Sequence, residues 1–454
     1  MSTGLSPGQR AGTFPGDAPA TVSPLTLDDA PVAERMTVQL LAIGIFIATF
    51  ALAGVRRVHL GVLMFAVACG VGIWIAKLPL REVIGGFPVS IMILLAGVTY
   101  FFGIAQANDT VDRLIEAALG RVGNRVALLP FVFFALTAVL SAMGSPIGSL
   151  VTCAIAMPVA HRHRVDPVLM GIAIGTGQSA GGFAPTSLFG IVTYGTAHQA
   201  GIALDPLLLF AIAVVVNIVL LGAAFLIFGG PALLGRAAAP TETPVRRATV
   251  AWTLHQRLTI AAMLGLVVAV VAGSLSGANP DIGVLCFAFG AALALIDPPR
   301  GVAAVSRIDW STVLLVGGVI TYVSVLQRME AVDMLGDQAT RIGQPLAAAF
   351  LLCGIGGLVS AFASTTGILA ALVPLALPLV ATGRLAGWAL ICALGICSSI
   401  VDVSPYSTTG ATVIATAHED DRARLRTWLM RWGLAMVVIG PILLVTALVV
   451  PSAP

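Results

Sequence analysis

Four apolar stretches of this chain are long enough to enter a membrane, and all four are broken in the middle. The first is LSAMGSPIGSLVTCAIAMP, from Leu140, and the second is GTGQSAGGFAPTSLFG, from Gly175. The third is VSAFASTTGILAALVPLALP, from Val359, and the fourth, ALGICSSIVDVSPYSTTG, ends at Gly410. Gly, Ser, Thr and Pro interrupt each of them. Backbone groups freed at such breaks cannot face lipid, where nothing would hydrogen-bond them, so the breaks must line a cavity or be buried in protein. Interrupted segments in corresponding places of two halves are a pointer to the binding site of a secondary transporter.

The surrounding sequence fits that environment. The 454 residues are 58% hydrophobic and 10% charged, too apolar for a soluble core, which gives an all-α polytopic membrane protein. All six cysteines fall in apolar segments with no metal spacing and read as buried free thiols. Residues 1–35 are rich in Pro, Ser, Thr and Ala, lack the charged start and apolar run of a secretory signal, and read as a disordered tail.

Along the chain, apolar runs of roughly the ~20 residues needed to span the hydrocarbon core lie near Thr37–Gly54, Leu60–Ala76, Pro88–Ala105 and Leu207–Phe228. After the linker 229–256 they recur near Leu258–Leu275, Ile282–Ile296, Ser311–Leu326 and Trp432–Val450. Amphipathic segments from Asn108 and around Ala331–Arg341 read as interfacial helices. The blocks Val126–Val159 and Pro345–Leu379 are either two spans with a tight turn or re-entrant hairpins. Their small, uncharged polar tips suit the hairpin.

The order repeats with nearly constant offsets. Thr99-Tyr100 matches Thr321-Tyr322 at 222, Gln106 matches Gln327 at 221, and Val111-Asp112 matches Val332-Asp333 at 221. Ser141-Ala142 and Ser145 match Ser360-Ala361 and Ser364 at 219, and Pro185, Ser187 and Gly190 match Pro405, Ser407 and Gly410 at 220. This is a duplication, with repeats 36–228 and 257–454. Each repeat has about five transmembrane helices, one of them broken, plus a re-entrant hairpin. An odd number of crossings inverts the second repeat. With both termini outside, most loop arginines, among them Arg56, Arg57, Arg162, Arg164, Arg246, Arg247, Arg422, Arg424 and Arg426, face the cytoplasm, as expected in a cell inner membrane.

Candidate site residues follow from the breaks. Asp402 lies within an apolar span, which costs at least a few kcal/mol without a task or partner. A coupling-ion or proton role is weighed against a structural pair with a neighbouring helix. At the hairpin tips, Ser145 with Ser149 and Thr152, and Ser364, Thr365 and Thr366, offer hard oxygen ligands that suit Na⁺, while the helix N-termini after the breaks suit a carboxylate. The plainer reading has these hydroxyls bonding back to their own helices. Gln178, Ser179, Thr186 and Ser187, with Gly181 and Gly182, face the second-repeat set Ser398, Ser399, Ser404, Ser407, Thr408 and Thr409 across the expected cavity. Substrate contacts are expected from Ser145, Gln178, Ser179, Thr186, Ser187, Ser364, Thr365, Thr366, Ser404, Ser407 and Thr408. Ion coupling is expected from Asp402, Ser145, Ser149, Ser364, Ser398 and Ser399. No Arg or Lys falls in a break. HExxH, GxxxxGK[ST] and GxSxG are absent, so no enzyme chemistry is expected. The HRHR and HEDDRARLR stretches read as solvated loops.

The stretch GGFPVSIMILLAGVTYFFGIAQANDTVDRLIEAALGRVGNRVALLP, continued through GQSAGGFAPTSLFG, resembles the N-terminal domain of the MatC-type dicarboxylate (malonate) carriers. The remaining architecture is similar to the ion-transporter superfamily that includes divalent-anion/Na⁺ symporters. The resemblance implies a homodimer, elevator-type movement, and a dicarboxylate as substrate. The Na⁺-coupled branch carries Ser-Asn-Thr at each tip. Here the tips read Gly144-Ser145-Pro146 and Ser364-Thr365-Thr366, without the Asn, which leaves Na⁺ and H⁺ both open. The expected function is therefore cation-driven transport of a small carboxylate by a chain without cofactor or nucleic-acid partner. A cation/proton antiporter, and a channel-like membrane subunit of an ion-pumping enzyme, are the alternatives.

Overall fold

The protein is described here by a computed structural model covering residues 32–56, 58–110, 113, 126–144, 148–199, 201–234, 252–276, 281–331, 334, 345–361, 365–376, 379–380 and 384–452. Residues 1–31 of the expected N-terminal tail, most of the linker, most of both amphipathic segments, and Ser145 and Ser364 lie outside the described residues, and Val32–Arg35, expected to be tail, form the first turn of the first helix instead.

The described residues form helices and no strands. The first repeat contributes α1 (Val32–Arg56), α2 (Leu60–Gly70, continued by the π-helical turn Val71–Ile75), α3 (Leu80–Gly85) and α4 (Val89–Ala107). It continues with α5 (Leu129–Ala142), α6 (Gly148–Arg162), α7 (Pro167–Gly182), α8 (Leu188–Gln199) and α9 (Pro206–Ile227). The second repeat contributes α10 (Leu254–Ser276), α11 (Ile282–Ile296), α12 (Pro298–Val305), α13 (Trp310–Arg328) and α14 (Pro345–Ser360). It ends with α15 (Thr365–Leu375), α16 (Gly387–Ser399), α17 (Thr408–Thr416) and α18 (Glu419–Leu444, continued by Val445–Val449). Among the described residues each helix of the first set has its counterpart nine places later. Parts or all of α1, α4, α9, α13 and α18 are long and apolar enough to cross a membrane. Asp residues set several starts: Asp166 accepts from the Val168 amide before Pro167, and Asp205 from the Leu207 amide before Pro206.

Packing follows the same two-fold pattern. The α4 helix crosses α11, and its counterpart α13 crosses α2, the counterpart of α11. Both crossings are made by equivalent glycines. A β-carbon on Gly61 would lie 2.1 Å from the Leu314 carbonyl oxygen, and one on Gly318 would lie 2.0 Å from that of Gly61. At the other crossing, a β-carbon on Gly97 would lie 2.4 Å from the Gly283 carbonyl oxygen. Small residues let backbones approach where lipid gives no hydrophobic drive for helix association. One polar joint is also made twice: Gln39 Nε2 donates to the Met329 carbonyl at the end of α13 (2.8 Å), and Gln256 Nε2 to the Asn108 carbonyl at the end of α4 (3.1 Å). These contacts tie α1–α4 and α10–α13 into one scaffold.

Helices α5–α9 and α14–α18 make up the rest. The antiparallel limbs α5 and α6 pack on α7, and α14 and α15 on α16. The limb α15 also reaches α8 of the other repeat, and α6 reaches α17. Inside this group α5 and α14 end in buried polypeptide whose carbonyls need donors. Hydroxyls of the breaks provide them. Ser187 Oγ donates to the Ser141 carbonyl (2.7 Å) and Thr186 Oγ1 to that of Ala142 (2.5 Å), at the end of α5. In the second repeat Ser404 Oγ donates to the carbonyl of Ala361, just past α14. Gly144, with φ of +69°, takes the chain out of α5 in the left-handed region that favours glycine. The two stretches expected to be solvated loops are largely helical instead: HRHR begins in the last turn of α6 and HEDDRARLR forms the N-cap and first turns of α18, where the charged side chains cap and pair helix ends that meet each other. His161 stacks on His418 with ring centroids 4.1 Å apart, and Arg424 pairs with Asp166.

Gly318→Leu forces apart the α2–α13 crossing and is expected to lower stability by about 3 kcal/mol or more, whereas Gly354→Ala, with nothing within 4 Å of the added carbon, is expected to leave it unchanged. Thermal denaturation of the purified protein in detergent checks both. Ser404→Ala strands the Ala361 carbonyl and should cost roughly 0.6–2 kcal/mol. Thr412→Ala, on an exposed hydroxyl bonded back to its own helix, should cost nothing measurable in the same assay.

Candidate functional site

The breaks in α7–α8 and α16–α17 face one cavity of about 210 Å³. It is lined by Ser141 and Gly144 from the end of α5, and by Gln178 and Gly182 from the end of α7. Ser187, Leu188 and Phe189 reach it from the start of α8 and Thr365 and Thr366 from the start of α15, with Asp402, Thr408 and, from the scaffold, Thr312 completing the wall. Three helix N-termini (α8, α15 and α17) and the C-terminal ends of α5 and α7 thus converge on one volume. The unpaired amides of a helix start, with its dipole, favour an anion, and the carbonyl end favours a cation.

Asp402 is placed by the unwinding of the chain after α16. Its backbone amide donates to the Ser399 carbonyl at 3.0 Å, and its own carbonyl accepts from Ser407 Oγ at 2.7 Å. Ser407 also caps α17 by accepting from the Gly410 amide at 3.1 Å. This holds the Asp402 carboxyl group facing the hydroxyls of Ser407 and Thr365. Thr365 is held in turn by Ser360, their hydroxyl oxygens 3.0 Å apart. Across the cavity, Thr409 Oγ1 donates to Gln178 Oε1 at 2.6 Å and joins the two broken helices. Among the lining residues Asp402 is the one charged side chain.

Of the residues expected at the site, Gln178, Ser187, Thr365, Thr366, Asp402 and Thr408 line the cavity. Thr186, Ser404 and Ser407 instead hold the backbone of the breaks. Ser398 Oγ donates to the Leu394 carbonyl of its own helix, which is the plainer reading of such a hydroxyl, and Thr152 does the same to Gly148. Ser149 is buried but is not a lining residue. Ser179 and Ser399 turn away to meet each other at 2.6 Å. They occupy equivalent positions 220 residues apart, so their bond joins the two repeats where they cross. Asn217 of α9 donates to Ser179 Oγ at 3.0 Å. Since Ser399 donates to the Ile396 carbonyl, Ser179 is left to donate to Ser399.

Sequence reasoning missed Thr312, Ser141 and Asn217. Asn217 carried a usable signal, as a lone amide in the apolar run Leu207–Phe228. Thr312 carried none, because only the tertiary structure brings the start of α13 to the breaks. A larger crevice of about 850 Å³ lies at the other ends of these helices, between Ile91, Tyr194, His198, Asp205, Asp281 and Trp388, and takes no residue from the breaks.

Comparisons with known proteins bear on the kind of protein and its fold. Residues 36–182 match the family model for the dicarboxylate carrier protein MatC N-terminus, and residues 248–453 match that of the citrate transporter family. No curated protein matches the chain. Among solved structures, the chain is similar to the Alcanivorax borkumensis YdaH transporter, whose crystal structure was described as having an unusual topology. The TM-score is 0.56 at 14% identity, over 90% of this chain and 97% of that one, which is a likeness of fold. The chain is a multi-pass membrane carrier, a secondary transporter and not an enzyme, with residues 36–182 similar to the MatC N-terminal model and residues 248–453 similar to the citrate-transporter model.

Proposed function

We propose that this protein moves a small carboxylate, such as the dicarboxylate malonate, across the cell inner membrane, driven by Na⁺ or H⁺ taken up at Asp402. The observation that carries the reading is the convergence of three helix N-termini with Asp402 on one cavity that no Arg or Lys lines. A carboxylate there would be held by backbone amides and by the hydroxyls of Thr365, Thr366 and Thr408. A cation at Asp402 would be held by that carboxylate and the Thr365 and Ser407 hydroxyls. With no fixed positive charge, each ligand would lower the cost of bringing the other out of water, which is a coupling free energy between them. The two matching families take their names from dicarboxylate and citrate carriers, both of small polycarboxylates, and support that substrate class.

The division into two groups of helices supports a mechanism of movement. Helix α5 has 14 residues and α14 has 16. At 1.5 Å per residue these reach roughly 21–24 Å, short of the ~30 Å hydrocarbon core. We read α5–α6 and α14–α15 as re-entrant hairpins that carry the site, with α7–α9 and α16–α18, past the scaffold of α1–α4 and α10–α13. That is an elevator-type movement in a homodimer, with both termini outside.

The test is uptake of labelled malonate by the purified protein in liposomes, with and without Na⁺, at two pH values. Saturable uptake that depends on Na⁺ or pH is expected. Passive ohmic flux, or activity only with added partner subunits, would replace the carrier by a channel or a pump subunit. Asp402→Asn is expected to insert normally and to lose roughly 10–100-fold in coupled uptake, as loss of a charged partner worth about 1.5–3 kcal/mol implies. Thr365→Ala should raise the half-saturating cation or malonate concentration by about 2–10-fold, the loss of one neutral hydrogen bond. Wild-type kinetics in both variants would remove the two residues from the mechanism.

A further inference from the structure

The duplication that built this protein should have produced the cation place twice, and the two copies now differ. Asp402 and Gly182 stand at equivalent positions, 220 residues apart, as do Thr409 and Phe189, and Thr408 and Leu188. In the second repeat these positions hold a carboxyl group and two hydroxyls. Asp402 faces Thr365 and Ser407, and Thr409 bonds across to Gln178. In the first repeat they hold a glycine, a phenylalanine and a leucine, and all three line the same cavity.

The replacement is also spatial. A β-carbon built on Gly182 would lie 2.6 Å from Cδ2 of Phe189 and 3.1 Å from its Cε2. The Phe189 ring therefore fills the volume into which a side chain at position 182 would project. The ring is held there by packing, 8% exposed and 5.8 Å from the ring of Phe183. A cation leaving water needs several oxygen ligands, or it keeps an unfavourable desolvation cost. The second-repeat side offers the Asp402 carboxylate with the Thr365 and Ser407 hydroxyls, whereas among the described residues the mirror side keeps the Ser187 hydroxyl but has no carboxylate, and an aromatic ring stands in its place. We propose that the protein binds one coupling cation per transport cycle, on the second-repeat side, and that Phe189 is the residue that closes the equivalent place in the first repeat.

This rests on the cation-coupled carboxylate reading above, and the experiment separates the two. The purified full-length protein is placed in liposomes with the membrane potential clamped at zero, and the malonate gradient at which net flux vanishes is measured against an imposed Na⁺ or H⁺ gradient. With one cation per malonate, a tenfold cation gradient is balanced by a malonate gradient of about tenfold, and with two by about a hundredfold. Balance near tenfold is expected. Balance near a hundredfold overturns the single-cation proposal and leaves the carrier reading standing. Malonate that does not move, or that moves without regard to either cation, overturns the reading and the proposal together. Restoring second-repeat chemistry with Gly182→Asp and Phe189→Thr is expected to shift the balance from about tenfold toward a hundredfold. A correctly inserted, active double variant that still balances at tenfold removes Phe189 from the proposed role. Should that variant not reach the membrane, the wild-type balance point decides the cation count alone.

Discussion

The constraint on which this structure depends is the pairing of backbone groups at helix breaks inside a membrane. A carbonyl left without a donor in hydrocarbon costs several kcal/mol. Here the breaks survive because the hydroxyls of the broken helices pair the carbonyls at the ends of the hairpin limbs as well as their own. Thr186 and Ser187 serve the end of α5, Ser404 serves the residue after α14, and Ser407 serves both Asp402 and the first turn of α17. That ties each hairpin to the broken helix of its own repeat and leaves the helix starts free to face the cavity.

Duplication gives the scaffold its economy. Two glycine-mediated crossings and two glutamine-to-carbonyl joints are each one solution used twice. Where the repeats meet, the equivalent residues Ser179 and Ser399 bond to each other. The cavity departs from this pattern. Asp402 has no acidic counterpart, and the phenylalanine at 189 stands where the second repeat has a threonine. A structural frame gains from symmetry because both copies bear the same load, whereas a binding site loses it once its ligand has unlike ends or unlike companions.

Much of the architecture was legible in the residues. Apolar runs near the thickness of a bilayer located the long helices, because hydrophobic length is set by the solvent and not by the fold. Gly181, Gly182 and Pro185 marked the break that separates α7 from α8. The site was legible only in part. Ser398 and Thr152 have the composition of ligands but bond to their own helices, and Ser179 and Ser399 spend their hydroxyls on each other. A hydroxyl's target depends on which carbonyl lies within 3 Å, and sequence spacing does not report that for groups more than a turn apart.

What the sequence determined by itself was the set of helices, their breaks, their repetition, and the presence of one acidic group among them. These follow from local chemistry: hydropathy over a window, Gly and Pro at a turn, and a constant offset between copies. What the tertiary structure decided was which of the polar groups share a volume. It brought Thr312 from the scaffold to the breaks, joined Gln178 to Thr409 across 231 residues, and put the ring of Phe189 over Gly182. Those are encounters between distant parts of the chain, fixed by how helices cross, and the residues involved carry no mark of them until the crossing is made.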